Sequence, residues 1–315
     1  MKLINELRDE INREITITLK KFCDIPIAGE MLGYQLGLLK NQSTGAQGKR
    51  FRPVLCLLTA KAISGSYKKA LPAAVAIELI HNFSLIHDDI QDGDEFRRGR
   101  QTVWRKWGAN QAINAGDAMH ALVGLALSGL FDSGLKPAVI NSVSSAVNSA
   151  CYRMCEGQML DLSFEKRARV GIGEYLRMIR EKTAALIESA PVSGALVSTQ
   201  NCGIIKCYRS FGANAGMAFQ IFNDISGFGD KGSRSLHIQS DLKKNKKTLP
   251  FVLALGAGKK GASGMRVLIE KTGALRHSEA IGTEYLRKAL YDLDRSGVSN
   301  SAQDLLKDYV LHIKD

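Results

Sequence analysis

The stretch from His81 to Gly99, HNFSLIHDDIQDGDEFRRG, constrains this chain more than any other. An apolar run ends in Asp88, Asp89, Asp92 and Asp94, then Glu95, then Arg97 and Arg98. If the run is helical, Asp88 and Asp92 stand one turn apart on one face. Carboxylates that share a face repel unless a cation lies between them or one takes up a proton. Hard oxygen donors in that number suit Mg²⁺, which keeps several waters and is shared with substrate phosphates. Two arginines beside them supply fixed cations for an anion. Acids for a metal next to arginines for an anion suit a phosphate or diphosphate site. A solvated helix end of mixed charge is the alternative these residues leave open.

The rest of the chain favours an all-α fold. Its 315 residues are 45% hydrophobic, enough for a sizeable core. With only six prolines and long stretches free of turn clusters, helices are expected rather than many strands. Leu3, Leu7, Ile11, Ile15 and Leu19 give residues 2–22 an amphipathic period. Further helices are expected over 29–40, 54–65, 70–92, 109–131, 137–162, 173–198, 205–228, 279–294 and 301–313, with one opening at Thr248-Leu249-Pro250. Loops fall at 42–48, 93–99, 227–247 and 256–264, and no strand is expected. A lysine at position 182, in an otherwise apolar helix, is costly to bury unless an anion meets it.

The net charge of +12 lies wholly in residues 1–264, since 265–315 carries eight basic and eight acidic residues. Such a surface suits nucleic acid, anionic lipid or an acidic small substrate. No nucleic-acid motif is present and the basic groups do not interleave with aromatics, so no nucleic acid is expected as a partner. The six cysteines form no CxxC and have no zinc spacing, so no disulfide framework is implied and a cytoplasmic location is expected. The amphipathic N-terminus lacks the apolar core of a signal peptide, and no run of 18 apolar residues occurs, so no transmembrane segment is expected.

Several further segments carry a specific resemblance. They are Gly48–Pro53 (GKRFRP), Gly116-Asp117-Ala118, Gly157–Leu162 (GQMLDL), Lys182-Thr183, Gln220–Asp230 and Asp241–Pro250. With the opening stretch, the chain resembles the all-trans isoprenyl (polyprenyl) diphosphate synthases of the farnesyl/geranylgeranyl type, over roughly residues 45–255. The resemblance implies a single all-α prenyltransferase domain over residues 1–315, an isoprenoid-synthase-type helical bundle around a central apolar cavity, acting as a homodimer. It implies Mg²⁺-assisted ionisation of an allylic prenyl diphosphate, and capture of the cation by isopentenyl diphosphate. Asp88 and Asp92, supported by Asp89, would bind Mg²⁺ at the allylic diphosphate, which Arg97 contacts. Lys49, Arg52, His81 and Arg98 would hold isopentenyl diphosphate. Lys182, Thr183 and Gln220 would surround the allylic carbon and diphosphate, with Lys246 closing over the phosphates. Gln158 and Asp161 match positions that support the metal and lysine network. Phe83 would form the floor that limits product length, here in the farnesyl to geranylgeranyl range with geranylgeranyl favoured.

Taken singly, His81 fits a hydrogen-bonded core histidine, Lys182 a snorkelling surface lysine, and Gln220 means little. Asn82, Gly99 and Gly116 read as structural, and Arg50 and Lys247 as solvated. The family's second Asp-rich motif, with acids at its first, second and fifth positions, is here Asn223-Asp224-Ile225-Ser226-Gly227. Asn223 offers Mg²⁺ a neutral carbonyl, Asp224 keeps a charge and Gly227 offers nothing, so the third of three metal ions is weakened. Two other readings follow: a terpene synthase or irregular prenyltransferase that ionises without normal elongation, or a non-catalytic modulating subunit of a synthase.

Overall fold

The computed structural model describes residues 2–39, 47–228, 246–256 and 265–314. Among them the helices are α1 (Lys2–Phe22), α2 (Pro26–Leu36), α3 (Phe51–Ser64), α4 (Leu71–Asp92), α5 (Val103–Trp107), α6 (Ala109–Ser128), α7 (Pro137–Glu165), α8 (Ile172–Ile179), α9 (Ala185–Leu196), α10 (Cys202–Ser226), α11 (Leu249–Gly256), α12 (Met265–Thr272), α13 (Ala274–Arg295) and α14 (Ser301–Leu311). The expected helices are present, and α5 and α12 add to them. Two features differ from expectation. A hairpin, β1 (Phe96–Arg97) with β2 (Arg100–Gln101), occupies the loop after α4. A π turn, Arg180–Ala184, interrupts the helix expected over 173–198. The family segments around Asp230 and Asp241 lie outside the described residues.

The chain divides into two compact units, Met1–Val147 with Ala190–Gln200, and Asn148–Ser189 with Asn201–Asp315. In the first unit α4 is the central helix, and every residue from Ala73 to Ile80 is buried. A helix apolar on all sides must be surrounded. The stretch Lys68–Asp92 is long and apolar enough to cross a membrane by length and composition, yet 67% of its apolar window is buried inside the protein. In α1 the buried face is Ile4, Leu7, Ile11, Ile15 and Leu19. Leu3 is only half-buried, because a turn of 3.6 residues carries a strict spacing of four off the face.

Arg50 overturns its reading as a solvated residue. It is 3% exposed, and its guanidinium donates to Glu78 Oε1 at 2.7 Å, to the Leu36 carbonyl at 2.6 Å and to Asn12 Oδ1 at 2.9 Å. Asn82 Nδ2 donates to the same Glu78 oxygen at 2.9 Å, which bears out its structural reading. Glu78 lies on a buried helix, where a charge must be paired. Arg50 meets it from a left-handed backbone, φ 49°, at the residue just before α3.

The second unit is built around the π turn. A Cβ at Gly157 of α7 would lie 2.1 Å from the Lys182 nitrogen, and one at Gly216 of α10 would lie 2.6 Å from the Ala184 Cα. Only glycine lets two helix backbones approach the turn from two elements. Beside it Phe164, Tyr175, Met217, Ile221, Leu249 and Val252 form one core. Lys247 also departs from its solvated reading. It is 3% exposed, its ammonium sits 5.1 Å from the centre of the Phe251 ring, and burial lowers its pKa against the pull of Glu165.

Replacing Arg50 by Met leaves Glu78 buried without its cation, so Arg50→Met is expected to lose about 3–5 kcal/mol of stability. Urea unfolding measures this, and Arg50→Met with Glu78→Leu recovers part of the loss.

Candidate active site

The first unit gathers the acids and arginines at the end of α4. Gly93, at φ 65°, returns its amide to the Asp89 and Ile90 carbonyls and stops the helix directly after Asp92. Asp88 and Asp92 are half-buried and Asp89 is 1% exposed. The chain then turns through Arg98 and Gly99, both with positive φ (52° and 75°). Two such residues between paired strands make the tight hairpin loop that matches strand twist. Thr102 Oγ1 and Trp104 Nε1 both donate to the Asp94 carbonyl at 2.8 Å, which pins the hairpin's base.

This hairpin gives Arg97 and Arg98 different partners. Arg97 donates through Nε at 2.7 Å and Nη2 at 2.6 Å to Oδ1 of Asp89. Arg98 turns back toward Gly48, where a Cβ would lie 2.7 Å from both terminal nitrogens of its guanidinium. Arg98 and Arg50 are the two non-glycine residues with positive φ among those described. Such backbone costs of order 1–3 kcal/mol and persists where the surroundings over-determine it. Arg50 is held by its buried acid, whereas Arg98 is exposed.

His81 and Arg52 lie in the same field. Burial, then the charges of Arg52, Arg98, Arg97 and Arg50, hold His81 well below the usual histidine range, so its imidazole is neutral at neutral pH. Arg52 is lowered to about 10 by burial and by Arg98, against the pull of Glu78. Lys49 is exposed at the edge. Cations that disfavour one another are relieved by an anion of several charges. Phe83, five residues before Asp88 on α4, is 6% exposed, with its ring edge-on to His120 at 5.0 Å and to His87 at 5.9 Å. Gly116 is the close contact that its structural reading requires, since a Cβ there would lie 2.1 Å from His87 Nε2.

In the second unit the π turn presents Lys182 and Thr183. The Ala185 amide reaches the Arg180 carbonyl, and the widened turn is a feature that recurs at functional sites. Lys182 Nζ donates to Asp161 Oδ2 at 2.5 Å, so the anion that a lysine here requires is on α7. Thr183 Oγ1 donates to Gln220 Oε1 at 2.8 Å, and Gln220 Nε2 donates to Asp224 Oδ1 at 2.8 Å. Asp224 Oδ2 accepts from the Tyr175 hydroxyl and from the Leu249 amide, the latter at 2.8 Å. Asn223 is exposed, and Lys246 is half-buried.

A family model of polyprenyl synthetases matches residues 36–281. The chain belongs to the polyprenyl synthetase family. It is 38% identical over 253 residues to a geranylgeranyl diphosphate synthase of Mycobacterium tuberculosis, covering 79% of this chain and 71% of that protein. It is 36% identical over 300 residues to a geranylfarnesyl diphosphate synthase of Aeropyrum pernix, covering 89% and 93%. The crystal structure of geranylgeranyl pyrophosphate synthetase from Pyrococcus horikoshii Ot3 superposes with a TM-score of 0.87 at 31% identity, covering 100% of this chain and 98% of that one. The fold is the all-α isoprenoid synthase fold.

The polyprenyl synthetase family uses Mg²⁺ in general, and the two Asp-rich segments fit it unequally. Among the described residues no group of three or more His, Cys, Asp or Glu side chains is placed to hold a metal by itself. The first segment fits. Asp89 Oδ2 is buried and has no hydrogen-bond partner among the described residues, and burial lifts this carboxyl to about 6 despite Arg97. A cation is what such an oxygen lacks. The second segment does not fit, for Asn223 is neutral, Gly227 has no donor, and Asp224 already accepts from three donors.

Sequence reasoning missed Arg50, Lys247 and Tyr175. A glutamate at 78 inside an apolar helix was the signal for a buried cation partner. Nothing in sequence marked Tyr175.

An anion should undo the depression of His81. Inorganic diphosphate is expected to raise its midpoint, because the anion offsets Arg52 and Arg98 and favours the protonated ring. The imidazole proton signals, followed by NMR against pH with and without diphosphate, measure this. An unchanged midpoint removes His81 from the anion site.

Proposed function

We propose that this chain is a prenyltransferase that condenses an allylic prenyl diphosphate with isopentenyl diphosphate. The observation that carries this reading is the cationic cluster of the first unit, where Arg52 of α3 and His81 of α4 are both held below their ordinary pKa, with His81 on the helix that ends in Asp88 and Asp92. Lys49, Arg52, His81 and Arg98 hold isopentenyl diphosphate. Arg97, steadied by Asp89, contacts the allylic diphosphate, and Lys246 closes over the phosphates. Asp88, Asp89 and Asp92 hold Mg²⁺, which supplies Lewis-acid neutralisation of the leaving diphosphate. Of two or three ions, those on this side have a fitting donor set. Lys182, Thr183 and Gln220 sit by the allylic carbon. Their hydrogen bonds fix them before charge develops, so little reorganisation is needed.

Several further features fit this reading. The family match spans both compact units, which supports one prenyltransferase domain. In the same unit α6 exposes Ile113 (45%) and Leu125 (42%), which suits a second copy of the chain and hence a homodimer. Six free cysteines suit a reducing cytoplasm. The relatives named above are synthases of geranylgeranyl and geranylfarnesyl diphosphate; geranylgeranyl diphosphate is the product favoured here. A second reading, ionisation without elongation, draws on the poor fit of the segment at Asn223.

Incubation with geranyl or farnesyl diphosphate separates these readings. A longer prenyl diphosphate is expected only when isopentenyl diphosphate and Mg²⁺ are both present, and Asp88→Ala should lower its formation at least about a hundredfold. A hydrocarbon or alcohol formed without isopentenyl diphosphate marks a terpene synthase. No product, with tight binding to an active synthase, marks a modulating subunit.

Phe83 packs against two histidine rings and is buried, so its removal opens space for more isoprene units. Phe83→Ala should yield products longer than those of the wild type, seen by reversed-phase chromatography of the dephosphorylated alcohols. Unchanged length removes Phe83 as the floor.

A further inference from the structure

We propose that Tyr175 and Asp224 are a positioning pair that fixes the side-chain amide of Gln220 and, through it, the hydroxyl of Thr183. This rests on the reading above, in which Thr183 and Gln220 lie by the allylic carbon.

The chain of bonds has one direction. An ionised carboxylate only accepts, so the group Gln220 turns toward Asp224 Oδ1 must be its NH₂, and the two atoms are 2.8 Å apart. The amide oxygen then faces the other way, 2.8 Å from Thr183 Oγ1. Faced with a carbonyl oxygen, Thr183 donates its one proton there and keeps its lone pairs for another neighbour. Lone pairs aimed at a developing cation stabilise it, whereas a hydroxyl proton aimed there opposes it. A reversed amide would offer Thr183 a donor and free its proton to point at the cation.

The pair also stops the carboxylate from rotating. Its second oxygen accepts from Tyr175 Oη and from the Leu249 amide at the start of α11. Tyr175 is 0% exposed. Burial, with Asp224 beside it, keeps the phenol protonated well above neutral pH, so it remains a donor. With three of its roughly four acceptor positions used, Asp224 serves the amide rather than a metal.

The test compares wild type with Tyr175→Phe, Asp224→Asn, Gln220→Ala and the Asp224→Asn/Gln220→Ala double variant. Asp224→Asn should lower kcat about a hundredfold, with KM for the allylic substrate and half-saturating Mg²⁺ within about twofold of wild type. In the Gln220→Ala background the same change should cost no more than about a further twofold, because its effect runs through an amide already gone. The Mn²⁺ bound per chain with inorganic diphosphate, counted by electron paramagnetic resonance, should be the same in wild type and Asp224→Asn. Fewer ions, or a tenfold rise in half-saturating Mg²⁺, makes Asp224 a metal ligand and overturns the proposal; so do losses that multiply in the double variant. If Asp224→Asn does not fold, Tyr175→Phe takes its place, with a smaller fall in kcat, an unchanged ion count and no further loss on Gln220→Ala. The ion count is a binding measurement, so it judges the pair even where the wild type makes no product, a result that overturns only the functional reading.

Discussion

The close approach of two glycines to the π turn at Arg180–Ala184 is the contact on which the second unit depends. A Cβ at Gly157 or Gly216 would fall within 2.1 or 2.6 Å of that backbone, so α7 and α10 reach the turn only without side chains. That proximity makes the local chemistry. Asp161 is one turn beyond Gly157 on α7 and receives Lys182; Gln220 is one turn beyond Gly216 on α10 and receives Thr183. One spacing, a glycine and a polar residue four apart, is used on both helices. The glycine sets the distance, and the residue a turn later supplies the partner.

The first unit solves a different problem. It gathers Arg50, Arg52, Arg97 and Arg98 near two buried acids, Glu78 and Asp89. Glu78 is taken by Arg50, and Asp89 by Arg97. Burial lowers both Arg52 and Arg98, the charge of Arg98 lowers Arg52 further, and His81 is neutral beside them. The strain is visible in the backbone as well, since Arg50 and Arg98 both adopt positive φ. The two are strained for different ends. Arg50 spends its guanidinium on three internal acceptors and fixes the loop that carries Lys49. Arg98 holds its own over Gly48, exposed to solvent.

Much of this was legible in the chain. The helices follow from apolar periods and from the scarcity of proline, and the acid end of α4 from Asp88 and Asp92 at one-turn spacing closed by a glycine. What sequence could not show is partnership across long separations. Arg50 stands next to Lys49 in a basic, polar stretch and reads as solvated; its acid is 28 residues away. Lys247 reads as solvated for the same reason, yet it lies against Phe251. The π turn has no signature in composition, because one extra residue in a helix is a matter of backbone fit against Gly157 and Gly216. Tyr175 looks like any core aromatic until Asp224 is found at its hydroxyl.

The uneven state of the second Asp-rich segment follows from the same bonds. Its three acid positions do not cost the same to change. Position 223 is exposed and position 227 half-buried, so a neutral residue at either leaves no buried donor stranded. Asp224 answers the Tyr175 hydroxyl, the Leu249 amide and the Gln220 amide at once. Each donor left without an acceptor in a buried place costs about 1–3 kcal/mol, and α11 would lose the carboxylate at its first turn. The surviving aspartate is thus the one that the folded chain itself requires. A segment read only as a metal motif would count one acid of three as a remnant. Read through its hydrogen bonds, that acid joins the fold to Gln220 and, through it, to Thr183.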